Sequence, residues 1–96
     1  MTLSLRTDSE VLAEIASKVR QLRVDQNITQ AEMAKRTLIP LATYRLFERT
    51  GRISLARFLA ILSILGRRHE LEGNFQSSPV STLSELESPK RMRARG

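Results

Sequence analysis

One stretch constrains the fold more than any other, residues 28–51, which read ITQAEMAKRTLIPLATYRLFERTG. Thr29 occupies an N-cap position and Glu32 follows three residues later, which predicts a capping box at the start of a helix. Pro40 is expected to end this helix and to begin the next, because proline cannot continue a helix but is favoured at its first position. The stretch therefore predicts two short helices joined by a tight turn.

The second helix, predicted over Leu41 to Thr50, has two different faces. Helical spacing places Tyr44 and Phe47 on one side together with Glu48, which suits packing against the rest of a domain. The opposite side is partly basic and consists of Leu41, Ala42, Arg45 and Arg49. Two short helices with such a face on the second are typical of a helix-turn-helix, although an ordinary helical bundle without DNA binding stays open as an alternative.

The TQAEMA run, the turn and the FER near the end of the second helix resemble the DNA-binding domain of Cro/C1-type (XRE) repressors. The resemblance covers roughly residues 10–66 and implies an all-α fold, a compact four- to five-helix, lambda-repressor-like domain. The turn departs from the family's usual pattern, since Leu38 stands in place of glycine and Pro40 in place of a small capping residue. By the same resemblance, Arg23 matches an arginine that pairs with the glutamate at the end of the recognition helix, here Glu48; two solvated surface charges are the alternative.

Patterns outside the motif predict further helices. The first starts near Thr7, where Glu10 completes a second capping box, and ends around Asn27. Another runs from Ser54 to Gly66 and is apolar over a wide face. We expect Leu55, Phe58, Leu59 and Leu62 to cover the motif helices. The remaining apolar residues, Ile61, Ile64 and Leu65, are then partly spare, either for an interface or to be covered by Leu71 and Phe75.

Composition divides the chain into a domain in residues 1–75 and a basic tail in residues 76–96, predicted to be disordered. The tail is rich in serine and proline and ends in KRMRARG, which contains no acidic residue. Such an end is expected to be a solvated tail, a phosphate contact or a docking segment.

The chain carries a formal net charge of +6, which favours a polyanionic partner. It has no cysteine and a single histidine, His69, without a nucleophile near it in the pattern. We therefore expect no catalytic site, no metal and no cofactor. The absence of cysteine fits a reducing cytoplasm, and the absence of any apolar run of about 18 residues predicts no membrane span.

In a helix-turn-helix, the second helix enters the major groove and its N-terminal part reads bases. The positions expected at base edges are Leu41, Ala42, Arg45 and Leu46. Gln30 matches the family position that hydrogen-bonds phosphate, and Thr29 is expected to touch the same phosphate. Arg49 and Arg52 are candidates for neutralising the DNA backbone, with simple solvation as the alternative.

A domain of this size is expected to bind a palindromic operator as a homodimer, with half-sites about one helical turn apart. The predicted function is a sequence-specific repressor. The opening MTLSLRTDSEVL, the FERTGRISL segment and the arginine-rich end are similar to HipB-like antitoxins, which implies an autoregulating antitoxin with a HipA-type kinase toxin as partner. A stand-alone phage-type repressor and a non-specific nucleic-acid packaging protein stay open as alternatives.

Overall fold

The computed structural model describes residues 6–74, which form five α-helices and, over that range, no strand. The helices are α1 (Asp8–Asp25), α2 (Gln30–Thr37), α3 (Leu41–Thr50), α4 (Leu55–Leu65) and α5 (Arg68–Asn74). The all-α prediction with a helix-turn-helix at its centre is confirmed. The predicted tail in residues 76–96, and Phe75, lie outside the described residues.

Local capping signals explain where α1 and α2 begin. The capping box of α1 is complete, because the Thr7 hydroxyl accepts from the Glu10 amide and the Glu10 carboxylate accepts from the Thr7 amide. At α2 only half of the predicted box forms: the Thr29 hydroxyl accepts from the Glu32 amide at 3.0 Å. The Glu32 carboxylate instead lies 3.9 Å from Arg36, one helical turn further on.

The turn between α2 and α3 closes without the glycine that the family usually has there. Leu38 takes the left-handed conformation with φ 62°, and the Ile39 amide donates to the Ala34 carbonyl at 3.1 Å, as in a Schellman-type helix end. Pro40 lies just before α3 as its N-cap, one position earlier than predicted. A left-handed leucine costs about 1–2 kcal/mol, which the surrounding helix contacts must offset.

Four helices and the segments between them contribute side chains to one core. Tyr44 and Phe47 of α3 lie at its centre, with ring centroids 5.9 Å apart, and Phe58 of α4 lies beside Phe47. The residues buried around them are Ala16, Val19, Ile28, Met33, Ala34, Ile39, Ile61 and Leu65. Packing α3 between α1, α2 and α4 in this way sets the direction of its exposed face.

The face of α4 that packs inward differs from the prediction. Ile61 and Leu65, expected to be partly spare, are buried, whereas Leu55, expected to cover the motif helices, is 68% exposed. Phe58 and Leu59 are half-buried, and Leu62 is buried as expected. The reason is that LARFLAILSIL is apolar almost all round, so helical spacing alone does not select a face.

Candidate nucleic-acid interface

A buried ion pair joins α1 to α3. The Arg23 guanidinium contacts the Glu48 carboxylate through two bonds, Nε to Oε2 at 2.6 Å and Nη2 to Oε1 at 3.0 Å. Its remaining nitrogen, Nη1, donates to the Ile28 carbonyl at 2.7 Å. The side chains of Arg23 and Glu48 are only 9% and 4% exposed. One arginine therefore fixes α1, the segment before α2 and the end of α3 relative to each other.

The Glu48 carboxylate accepts two further hydrogen bonds, from Gln30 Nε2 at 2.9 Å and from the Tyr44 hydroxyl. Burial by itself would raise the pKa of this carboxyl, but the bonds from Arg23, Tyr44 and Gln30 outweigh burial and hold the pKa below its ordinary value. Burial and the bond to Glu48 raise the pKa of Tyr44. Glu48 is thus an ionised acceptor that holds α1, α2 and α3 together.

The outward side of α3 is a single stripe at helical spacing. Its exposed residues are Ala42, Arg45, Leu46 and Arg49. Leu41 was expected on this side, but it is half-buried and packs against the core. The reason is that it lies three residues before Tyr44, one helical turn away on the inward side. Its assignment to a base edge stays a prediction.

Three arginines surround an open depression of about 320 Å³ beside this stripe. They are Arg20 of α1 and Arg45 and Arg49 of α3, and Gln30 and Glu48 complete the lining. Within residues 6–74 none of the three arginines forms an ion pair or a side-chain hydrogen bond. Other arginines are paired with nearby glutamates, namely Arg6, Arg36, Arg67 and Arg68. Uncompensated positive charge is therefore concentrated next to the exposed side of α3.

The other residues expected to hold phosphate are spread around α2 and the loop after α3. Thr29 is exposed as the N-cap of α2, and Gln30 uses one amide hydrogen on Glu48, which leaves the second free to donate. Arg52 is exposed and its Nη2 donates to Ser9 Oγ at 3.2 Å, so it is held towards the start of α1. Thr29 and Gln30 thus lie at the start of α2, and Gln30 reaches the arginine depression.

Arg20 is the residue of this site that the sequence analysis missed. The sequence signals of the first helix concern its ends and Arg23, and they leave Arg20, an exposed residue of α1, unassigned. Its position three residues before Arg23, hence one turn away on the same helix face, was the available signal. The depression brings Arg20 together with two residues that had been predicted, Arg45 and Arg49.

Two other kinds of site are absent from the described residues. In the part of the chain from residue 6 to residue 74, no three His, Cys, Asp or Glu side chains group closely enough to hold a metal ion. Among the helices of the same region, none combines the length and the apolar character needed to cross a membrane.

A family model described as helix-turn-helix matches residues 19–71, which is more than half of the chain. The match runs from the second half of α1, through α2, α3 and α4, into α5, and so includes the ion pair and the arginine depression. Searches among curated proteins and among solved structures each gave no significant match.

Proposed function

The chain belongs to the Cro/C1-type (XRE) helix-turn-helix family, whose members bind DNA, and from this premise we propose that it is a transcriptional repressor that recognises a specific operator. The observation that carries the proposal is the position of Arg20, Arg45 and Arg49. These three cations form no ion pair within residues 6–74; Arg45 and Arg49 lie on the helix that enters the major groove in this family, and Arg20 lies beside it. Such charge is suited to a phosphate backbone.

In the proposed complex, α3 lies in the major groove with Ala42, Arg45 and Leu46 towards the base edges. Arg45 is the one side chain of these with hydrogen-bond donors, in the geometry that suits guanine O6 and N7. The residues proposed to contact phosphates are those expected from the sequence, Thr29, Gln30, Arg49 and Arg52. Arg20 is added to them because it lines the same depression. The amide ends of α2 add a further site for one phosphate.

The ion pair between Arg23 and Glu48 supports this arrangement without touching DNA. Because Glu48 accepts from Gln30, it holds that side chain beside the depression before any ligand arrives. Because Glu48 is neutralised by Arg23, its negative charge does not repel the phosphates. We therefore expect the polar cluster to position the contact residues while the surrounding arginines supply attraction.

The proposal is tested by selecting duplexes from a random library with the full chain and then measuring affinity for the selected and for random DNA. Arg45→Ala should lower affinity for the selected duplex by about 1–3 kcal/mol and relax the preference at one base position. Arg57→Ala is the matched control, since Arg57 is also exposed and unpaired within residues 6–74 but lies outside the depression. If no sequence is enriched but random duplexes are bound, the chain is a non-specific packaging protein instead; if no duplex is bound, DNA binding itself is overturned.

We infer a homodimer from the symmetry of such operators and from an apolar surface away from the arginine depression. Leu55, Leu59 and Leu71, with Glu72 at the same site, line a mainly apolar depression of about 220 Å³ that shares no residue with the arginine site. A second copy of the chain packed there would leave both recognition helices free for the two half-sites. Leu55→Glu should then yield monomers by mass in solution, and an unchanged dimer would move the interface elsewhere.

The finer proposal is that this repressor acts in the cytoplasm as the antitoxin of a HipA-type kinase toxin and represses its own operon. Its support is the similarity of MTLSLRTDSEVL, FERTGRISL and the arginine-rich end to HipB-like antitoxins. Co-expression with a kinase encoded beside it should relieve kinase toxicity and give a stable complex. A stand-alone phage-type repressor is the second candidate and would do neither.

A further inference from the structure

The exposed side of α3 offers only two kinds of chemistry. Its four exposed residues are two arginines, Arg45 and Arg49, and two aliphatic residues, Ala42 and Leu46. Glu48 does not add an acceptor to this surface, because its carboxylate is only 4% exposed and accepts from Arg23, Gln30 and Tyr44. Between Leu41 and Thr50, therefore, the exposed side chains carry only guanidinium and aliphatic groups, and the two hydroxyl side chains, Thr43 and Thr50, are half-buried.

The four base pairs present different groups in the major groove, and this chemistry fits only some of them. Adenine is read best by the carboxamide of Asn or Gln, and the cytosine amino group by a carboxylate acceptor. The exposed side chains of α3 provide neither group. Arginine suits guanine, and an aliphatic side chain suits the 5-methyl group of thymine.

Building on the proposed function, we propose that this chain distinguishes A·T base pairs through the 5-methyl group of thymine, which Ala42 and Leu46 contact, while Arg45 between them reads guanine. Leu46 is 42% exposed in the free protein, so it has apolar surface to remove from water on binding. A single exposed leucine is common on protein surfaces. Here, however, it lies between two unpaired arginines on the helix that enters the groove.

The first measurement uses the duplex obtained by selection, resynthesised with deoxyuridine in place of thymidine one position at a time. Deoxyuridine keeps the Watson–Crick pair and the O4 acceptor and removes only the methyl group. Affinity should fall about fourfold at each contacted thymine, which corresponds to about 0.8 kcal/mol for one methyl-sized group removed from water. It should not change at thymines outside the contacted positions.

A double-mutant cycle between protein and DNA then assigns the methyl contact to its side chain. Leu46→Ala should weaken binding to the thymidine duplex and should make the deoxyuridine substitution at one position nearly neutral. Val24→Ala is the control, because Val24 of α1 is 43% exposed, close to the value for Leu46, but lies outside α3. This variant should keep the full fourfold effect of deoxyuridine.

Two outcomes distinguish a failure of thymine-methyl recognition from a failure of the proposed repressor function. If specific binding is found but deoxyuridine has no effect at any position, or the same effect on Leu46→Ala as on the unchanged protein, methyl reading is overturned and the repressor proposal stands. If selection enriches no sequence at all, the proposed function itself fails and the inference fails with it.

Discussion

At the scale of single residues, the most informative group is the Glu48 carboxylate, which accepts from three different elements of the fold. Arg23 comes from α1, Gln30 from α2 and Tyr44 from within α3. A buried pair of this kind is not by itself a large source of stability, because both charges leave water. Removing one partner, however, leaves the other buried and uncompensated, so the cost appears when the pair is broken.

The first prediction follows from that asymmetry. Arg23→Met and Glu48→Leu should each lower the free energy of unfolding by about 3–5 kcal/mol, and the double variant should recover a large part of the loss. The exposed pair Arg36 and Glu32, with its 3.9 Å separation, is the control and should show a coupling of only about 0.3–0.5 kcal/mol. Equilibrium unfolding in urea gives all the free energies. An absence of coupling between Arg23 and Glu48 would show that the two side chains contribute to stability independently, as exposed charges do.

The second prediction concerns acid. The folded state holds the pKa of Glu48 below the ordinary glutamate value of about 4.3, so the unfolded chain takes up this proton first as the pH falls. The stabilisation from Glu48 is therefore complete above that value and is lost as the pH falls through the lower, folded-state pKa. The free energy of unfolding should fall more steeply in the unchanged protein than in Glu48→Gln below about pH 4.3.

Glu14 provides the control for this acid dependence. Its pKa is also lowered, first by a hydrogen bond from Arg6, but its side chain is 42% exposed. Solvent screening weakens such a pair, so Glu14→Gln should change the pH profile less than Glu48→Gln. Equal effects of the two variants would contradict a special role for the buried carboxylate.

At the scale of helices, the junction of α3 with the following loop depends on one glycine. Gly51 has φ 82°, and a Cβ there would overlap the backbone carbonyl of Leu12 in α1. α3 therefore ends directly against α1, which is the same pair of helices that Arg23 and Glu48 join. The direction of the recognition helix depends on both contacts, one of them polar and one of them a close backbone approach.

The third prediction separates the close approach from the backbone conformation. Gly66 ends α4 with a similar φ of 76°, but a Cβ there would meet no atom within 4 Å. Gly66→Ala should cost about 1–2 kcal/mol for the left-handed conformation alone. Gly51→Ala should cost clearly more, because α1 must also move, and should weaken DNA binding as well. Similar losses of stability for the two variants would show that α1 accommodates the added methyl group.

Sequence patterns predicted the positions of the helices better than they predicted which face of each helix packs against the core. Thr7, Ser54 and Gly66 are local signals, since capping depends on residues within a few positions, and they located the start of α1 and both ends of α4. The inward face of α4 could not be read in this way, because the helix is apolar on nearly every side. Arg20 was missed for a related reason: its nearness to Arg45 depends on how α1 packs against α3, and its spacing from Arg23 is informative only together with the pairing of Arg23 and Glu48.

At the scale of the whole molecule, two surfaces with different chemistry coexist on one small domain. The arginine depression is positively charged and suits DNA, and the depression around Leu55 and Leu59 is apolar. Their separation means that the proposed partners do not compete: DNA at one site, and a second copy of the chain at the other. A kinase toxin would then need a further region, and residues 76–96 are our candidate for it.

The last prediction tests that assignment. Residues 76–96 are poor in apolar side chains apart from a few, among them Leu83, Leu86 and Met92, and end in a basic run. We expect truncation after Phe75 to keep operator recognition, because the family match ends at residue 71, and to lose binding and neutralisation of the toxin. A control variant keeps residues 76–96 but replaces Lys90, Arg91, Arg93 and Arg95 by glutamine. It separates the contribution of charge to binding from that of the apolar side chains.

If the leucines and Met92 make most of the toxin contact, the glutamine variant should keep its affinity for the kinase. Only its salt-sensitive affinity for random DNA should fall. Binding can be followed with the purified kinase and with the selected duplex in parallel. A truncated chain that holds the kinase at full strength would place the interface on the folded domain, with α4 as the first candidate because Leu55 is exposed there. A truncated chain that loses operator recognition would instead favour a plain repressor whose C-terminal arm grips DNA.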